Sequence, residues 1–358
     1  MTRVALHHSF EALPKPYEQL FDNAGAGVFL SLPWFRGLAA TALGEKAQLR
    51  IYALESTCGD MVYLAIPMVH DPSRRHLFSP RKLAAAANCY TSLFSPLVGD
   101  TNSAQNALNR LVKAMATDAP RWDTIALHPM DPDSPLFTEM LSAFRSAGMA
   151  VQRYFCFGNW YLKVNGRTYQ EYASTLPPRL KNTLRRKAQQ LDSANRLRID
   201  IITRAADVPA GIEAYETVYQ ASWKPPEAYP EFIPGLIRMC AQHGWLRLGV
   251  AYVDDRPAAA QLWIVANGVA SIYKLAYDHR LAKLSIGSLL TARLMQQVID
   301  VDGVQEVDFL SGDDAYKQDW MPHRRERWGI MAFNLRTLKG VLLAVAHLAG
   351  RFLKNIGR

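Results

Sequence analysis

The order of segments in this chain repeats, and that constrains its fold more than any single motif. Residues 31–43, with Trp34, read as a helix and are followed by strand-like runs at 48–54 and 62–69. A helix at 104–115, a β-rich run at 122–128 (WDTIALH) and a helix at 136–147 come next. A similar succession then begins again. It has a helix at 212–222 ending at Trp223, strands at 245–253 and 258–265 around the turn Asp254-Asp255-Arg256-Pro257, and a strand at 270–277 (ASIYKLAY). A helix at 286–299, a strand at 306–310 (EVDFL), a short turn to Tyr316-Lys317, and 328–334 (WGIMAFN) as the closing strand complete it. Helices that alternate with strands imply a mixed α/β sheet in each half.

The 358 residues suit two domains of ordinary size. The expected boundaries are 1–165 and 166–334, with an amphipathic segment at 335–358. With 49% hydrophobic and 20% charged residues, the whole chain is expected to fold. The opening MTRVALHHSFEALPKP has neither an apolar run nor a small-residue cleavage site, so it does not read as a signal peptide and a cytoplasmic chain is expected. The most apolar stretch, 341–350, falls well short of the ~20 residues that cross a bilayer. Cys58, Cys89, Cys156 and Cys240 lack the paired spacings of zinc or redox sites. There is no P-loop, dinucleotide fingerprint or nucleophile triad, so no metal or nucleotide hydrolysis is expected.

The net charge of +9 calls for an anionic partner. Much of the excess lies in 179–198 and from His323 onward. Between the halves, Pro177-Pro178 precede RLKNTLRRKAQQL, a basic helix with proline in its first turn. Its Arg179, Lys181, Arg185 and Arg186 read equally as a solvated face and as a grip on the diphosphate of a nucleotide- or lipid-linked acceptor. A second anion signal is SIYKLAYDHRLAKLSIGSLLTARLMQQVI at 271–299. There Arg280 and Lys283 flank a loop that enters Ser285-Ile286-Gly287-Ser288, where small residues allow close approach and a helix start offers free N–H groups. An ordinary serine N-cap is the competing reading.

Three segments carry a resemblance. They are Ser222-Trp223-Lys224; Tyr273-Lys274-Leu275-Ala276-Tyr277 leading to Ser285-Ile286-Gly287; and Asp308-Phe309-Leu310-Ser311-Gly312 followed by Tyr316-Lys317 and Trp320. In this order they resemble the GNAT superfamily. The likeness is to the tandem-GNAT group related to Fem-type aminoacyl transferases and to cellulose- or exopolysaccharide-associated acetyltransferases. The resemblance implies two tandem GNAT-like domains, the second of which binds acetyl-CoA or another acyl-CoA between two splayed strands, 271–277 and 306–310. Tyr273, Lys274, Leu275, Arg280, Lys283, Ser285, Ile286, Gly287 and Ser288 would form that donor site. Where the family carries Gln/Arg-x-x-Gly-x-Gly/Ala, this chain has the single Gly287. Aminoacyl-tRNA, which Fem-type relatives use, is the other donor.

The resemblance further implies direct attack on the acyl donor by an amine or hydroxyl of a sugar or cell-envelope precursor. Tyr316 would then be the general acid, and Lys317 would neutralise charge on the thioester oxygen or on an acceptor phosphate. Asp308, Asp313 and Asp314 are the acids placed to act as base, with Asp313 preferred, and His279 is a further candidate. Trp223 either lines the acceptor side and stacks on a sugar or packs in the core. The first half has Gly99-Asp100-Thr101-Asn102 after its Phe94–Val98 run, with no cation and with an acid that repels diphosphate. It is therefore expected to be a degenerate copy. Leu338, Val341, Leu342, Val345, Leu348, Phe352 and Leu353 lie at helical spacing, with Lys and Arg on the remaining face. That pattern fits an anionic membrane surface, a docked helix or a second subunit. A binding module on a non-catalytic GNAT scaffold is the last reading.

Overall fold

The structure, a computed structural model, describes residues 2–23, 27–74, 79–101 and 103–356. Asn102 and Arg358 lie outside the described residues, as do the side chains of Leu348, Phe352 and Leu353. The chain divides into two compact units, Met1–Phe157 with Glu326–Arg358, and Gly158–Arg325. Unit 1 contains β1 (Thr2–His7), β2 (Gln48–Ser56), β3 (Val62–His70), β4 (Lys82–Ala85), β5 (Leu97–Val98) and β6 (Thr124–Met130). The chain leaves it along β7 (Met149–Lys163). Unit 2 adds β8 (Leu197–Ile202), β9 (Leu246–Val253), β10 (Arg256–Ala266), β11 (Val269–Tyr277) and β12 (Glu306–Asp308), and β13 (His323–Asn334) leads back to unit 1.

Unit 1 orders its strands β1-β2-β3-β4-β6-β13, with β5 beside β3, and unit 2 orders its strands β8-β9-β10-β11-β12-β7. In each, the fourth and fifth strands pair in parallel, β4 with β6 and β11 with β12, while the other described pairings are antiparallel. The repeat of elements read in the sequence is thus a repeat of topology. One assignment is corrected: WGIMAFN does not close the second sheet. It pairs with β6, from Trp328↔Met130 to Phe333↔Thr124, and β12 is flanked instead by β7, with Lys163↔Glu306 and Tyr161↔Asp308. Both halves present a fifth strand with one free edge, so alternation along a strand cannot tell which edge it will join.

Local chemistry explains the main elements. In unit 1 the helix Leu32–Thr41 starts at Ser31, whose hydroxyl accepts from the Trp34 amide, and it buries Trp34, Phe35 and Leu38. In unit 2 the β9–β10 turn holds Asp254 and Asp255 at φ 50° and 60°, the handedness that a two-residue hairpin needs. The helix Ile286–Gln296 lies on this sheet through Leu290 and Leu294, both fully buried. Burial of each contributes roughly 1.5–3 kcal/mol. It approaches closely because β9 carries Gly249 there: a Cβ would stand 2.8 Å from Leu294 Cδ1 and 2.9 Å from Leu290 Cδ1. The basic helix, Pro178–Asp192, packs Leu180, Leu184, Ala188 and Leu191 into the same core and lies against Ile286–Gln296.

Candidate active site

The parallel pairing of β11 with β12 is short. It covers Val269↔Glu306, Ala270↔Val307 and Ser271↔Asp308 and then stops. Residues 272–277 remain bonded to β10 on one edge, and no strand among the described residues covers the other. Tyr273 is the extra residue of a bulge, since Ile272 pairs with Trp263 and Lys274 with Leu262. A bulge bends its strand and re-aims its neighbours. On the far side β12 turns away under a buried ionic network. The Asp308 carboxylate accepts from the amide of Leu310, whose φ is 56°, and from Asn159 and Arg325. Arg325 also donates to Glu306 at 2.7 Å and to Asn159 Oδ1 at 2.6 Å, and its guanidinium lies over the Tyr161 ring. The result is a wedge in which no strand among the described residues covers one edge of β11 beyond Ser271, a template for an extended ligand.

The helix Ile286–Gln296 begins at the mouth of this wedge. Ser285 takes the left-handed conformation, φ 54°, and its hydroxyl does not cap the helix. The Ser288 and Leu289 amides donate to Ser285 O, whereas the amides of Ile286 and Gly287 have no partner among the described residues. Two free N–H groups at the positive end of a helix suit an anion. A buried polar chain fixes this end. Gln261 on β10 donates to Gly287 O at 2.9 Å and to Thr291 Oγ1 at 2.8 Å, and accepts from Trp263 Nε1 at 2.9 Å. A Cβ on Gly287 would sit 3.3 Å from the Tyr277 ring, which in turn lies against Trp223, with ring centroids 4.6 Å apart. Trp223 is 54% exposed, which excludes the core-packing reading.

Of the two expected loop cations, Arg280 is engaged and Lys283 is free. Arg280 forks onto Asp278, with Nε–Oδ1 2.9 Å and Nη2–Oδ2 2.6 Å, which holds the Asp278 carboxyl below its usual range. Lys283 is exposed and has no ion pair among the described residues.

The turn after β12 brings the catalytic candidates together. Tyr316, 43% exposed, stands edge-on to Phe309, and partial desolvation of its hydroxyl, helped by the charge of Asp314, pushes it up to about 12. Lys317 is 4% exposed and donates to Ser311 O at 2.6 Å and Gly312 O at 3.2 Å, with Asp314 at 3.4 Å. Burial lowers its pKa. Lys317 therefore ties the turn together. Asp313 accepts from Arg324 at 2.6 Å and from Trp160 Nε1 at 2.8 Å, and Arg324 keeps its carboxyl below the usual range. A carboxylate so held is a poor base. Asp308 is locked in its own network, and His279 is tied through Nδ1 to Ala221 O at 2.8 Å.

Facing this turn are Lys274, expected in the donor site, and Lys224, to which sequence reasoning gave no role. Lys274 pairs with Glu227 at 2.6 Å, while the half-buried Lys224 has no ion pair among the described residues. Burial, with the charges of Lys274 and Lys317 adding, pushes the Lys224 ammonium down to about 8. Glu227, Gln261 and Asp278 were also missed. Gln261 did leave a signal, a lone polar residue in the apolar run RPAAAQLWIVA. Leu275 packs on the core, and Arg179, Lys181, Arg185 and Arg186 face outward from their helix, with Lys181 donating to Ser174 O.

Unit 1 builds the equivalent place differently. Past the β4–β6 pairing, Lys82↔Thr124 to Ala84↔Ala126, the Phe94 amide donates to Pro129 O on β6. The chain's own segment thus reaches into the space. The following helix, Ala104–Thr117, is capped by Ser103, whose hydroxyl accepts from the Asn106 amide.

Residues 178–318 match the family model of the acetyltransferase (GNAT) domain, so the second unit carries a GNAT domain. The chain as a whole shares its fold with two solved structures, FemX and L-PGS. FemX superposes with a TM-score of 0.61 at 10% identity, over 88% of this chain and 96% of its own. L-PGS from Bacillus licheniformis superposes with a TM-score of 0.54 at 12% identity, over 95% and 98%. At such identities the likeness is one of fold. No curated protein sequence matches the chain. Among the described residues there is no metal-ligating cluster, and no helix is long and apolar enough to cross a membrane.

Proposed function

We propose that unit 2 is an acyl-CoA-dependent N- or O-acyltransferase acting on an amine or hydroxyl of a sugar or other cell-envelope or exopolysaccharide precursor. The observation that carries this reading is the split between β11 and β12, which runs to the two free amides at Ile286 and Gly287. Acyl-CoA supplies an activated thioester on an extended amide-bearing arm that ends in a diphosphate. The edge at 272–277 matches the arm, and the Ile286 and Gly287 amides with Lys283 match the diphosphate. Tyr316, protonated at neutral pH, donates the proton that the leaving thiolate needs. Lys317 holds the turn that carries it. Trp223, exposed beside Tyr277, offers a stacking face to a sugar.

Thiol release tests the reading. Wild-type protein given acyl-CoA and an acceptor panel should liberate thiol, and Tyr316→Phe should lower kcat about 10²–10⁴-fold. No thiol from any acyl-CoA would leave a binding module instead. A second donor, aminoacyl-tRNA, is favoured by one observation, the outward row of Arg179, Arg185 and Arg186. It predicts RNA binding that weakens steeply with salt; if RNA does not bind, the row is left to the diphosphate of an acceptor. Unit 1 is read as a degenerate copy without a CoA site, so titration should give one CoA per chain.

The final helix, Leu338–Ile356, supports contact with an anionic lipid surface. Its inner stripe is small: a Cβ on Gly340 would collide with Asn334 O, and Ala344 is buried. The outer stripe, Leu338, Val341, Leu342 and Val345, is exposed. Residues 335–358 contain Arg336, Lys339, Arg351, Lys354 and Arg358 and no acid. Pairing this face with its own copy would bring like charges together, whereas acidic lipid complements them. Full-length protein should float with phosphatidylglycerol vesicles and not with phosphatidylcholine vesicles, and Leu342→Glu should abolish flotation. Equal flotation with both lipids, or with neither, would contradict this.

A further inference from the structure

We infer that Lys224 is the base that takes the proton of the acceptor nucleophile, an inference that rests on the acyltransferase reading. Every carboxylate expected for this task is otherwise engaged. Asp308 is bound by Asn159, Leu310 and Arg325, Asp313 by Arg324 and Trp160, and Asp314 pairs with Lys317. Lys224 is a half-buried amine with no ion pair among the described residues, and the two carboxylates that attract it, Glu227 and Asp314, are each paired with another lysine. It lies at the junction of three elements. Lys274 comes from β11, Glu227 follows on its own segment, and Lys317 and Asp314 come from the turn that carries Tyr316. Glu227 is already matched by Lys274 and stands beside Tyr219; Asp314 is already matched by Lys317. The Lys224 ammonium lies over the Trp223 ring at 5.8 Å, so it sits beside the proposed acceptor surface.

A partly desolvated site and two neighbouring ammonium groups outweigh the attraction of Glu227 and Asp314 and favour the neutral amine, which supplies a lone pair as the pH approaches 8. The step then balances. The neutral Nζ takes the acceptor N–H or O–H proton while the acceptor lone pair bonds to the thioester carbon. The C–S bond breaks, and the thiolate takes the Tyr316 proton. Transfer of the Lys224 proton to the tyrosinate through solvent restores both residues, so no external acid or base is consumed.

The test compares full-length wild type, Lys224→Ala and Lys224→Arg. In wild type, kcat/KM for thiol release should rise with pH to a plateau, with its limb near 8. Lys224→Ala should lose about 10²–10⁴-fold in kcat and regain part of it with added ethylamine. Lys224→Arg, which keeps the charge and cannot act as a base, should lose as much and not be rescued. A readout free of turnover is NMR titration of the reductively ¹³C-methylated protein, in which one lysine should titrate well below the others and vanish in Lys224→Ala. Retained activity in Lys224→Arg, or no low-titrating lysine, overturns the inference alone. A wild type that releases no thiol from any acyl-CoA overturns the acyltransferase reading and this inference with it.

Discussion

Replacing Lys224 by methionine should stabilise the protein at neutral pH. Methionine keeps the length of the stem, and the Lys224 ammonium has no hydrogen bond among the described residues to lose. The folded site lowers its pKa from 10.5 to about 8. At 1.36 kcal/mol per pKa unit the charged form is disfavoured by at most roughly 3 kcal/mol, and solvent at a half-buried site reduces this to about 1–2 kcal/mol. The sign follows from proton binding. Below the folded value both states carry the proton and the full penalty applies. Between about 8 and 10.5 the unfolded chain binds more protons, so wild-type stability rises with pH; above 10.5 the penalty is gone. Urea unfolding of Lys224→Met should therefore show a gain of about 1–2 kcal/mol at pH 7, with Tm raised by roughly 2–8 °C, and the gain should shrink steadily toward pH 10. A variant no more stable than wild type at pH 7, or a gain independent of pH, would refute the account of Lys224.

Further outcomes follow from the supports of the site. Gly249→Ala should push Leu290 and Leu294 outward, cost about 1–3 kcal/mol by urea unfolding, and raise KM for acyl-CoA more than it lowers kcat. Gln261→Leu strands the buried Trp263 N–H and frees the first turn of the Ile286–Gln296 helix; a loss of about 1–3 kcal/mol with weaker CoA binding by calorimetry is expected. Asp313→Asn should keep activity within about tenfold and leave the pH limb near 8 in place, because its carboxylate binds Arg324 and Trp160. A limb that disappears in this variant would return the base to Asp313.

The repeat of elements, the strands on either side of the wedge and the helix start at Ile286 were legible because each leaves a local mark: alternation, a positive-φ turn, or small residues after a basic loop. Pairing at long range left none. Nothing in WGIMAFN distinguishes the edge of β6 from that of β12, and β7, which fills the second place, was not read as a strand. The site was half legible for the same reason. Tyr316 and Lys317 lie in one motif, and Gly287 in another. The carboxylates nearby looked alike in sequence, and only the partners from distant segments, Arg324 and Trp160 for Asp313 and Arg325 for Asp308, remove them as bases. Lys224 stands 50 residues before Lys274 and 93 before Lys317 in the numbering, so the charges that depress its pKa could not be seen from its neighbours.

Backbone hydrogen exchange with and without CoA is the most direct check on the role given to the wedge. Saturating CoA should slow exchange at residues 272–277 and at the Ile286 and Gly287 amides, while the region around Gly99 and the start of Ala104–Thr117 stays unchanged. Unaltered exchange along β11 and at the helix start, or slowing confined to unit 1, would contradict the claim that an activated carrier lies along that open edge.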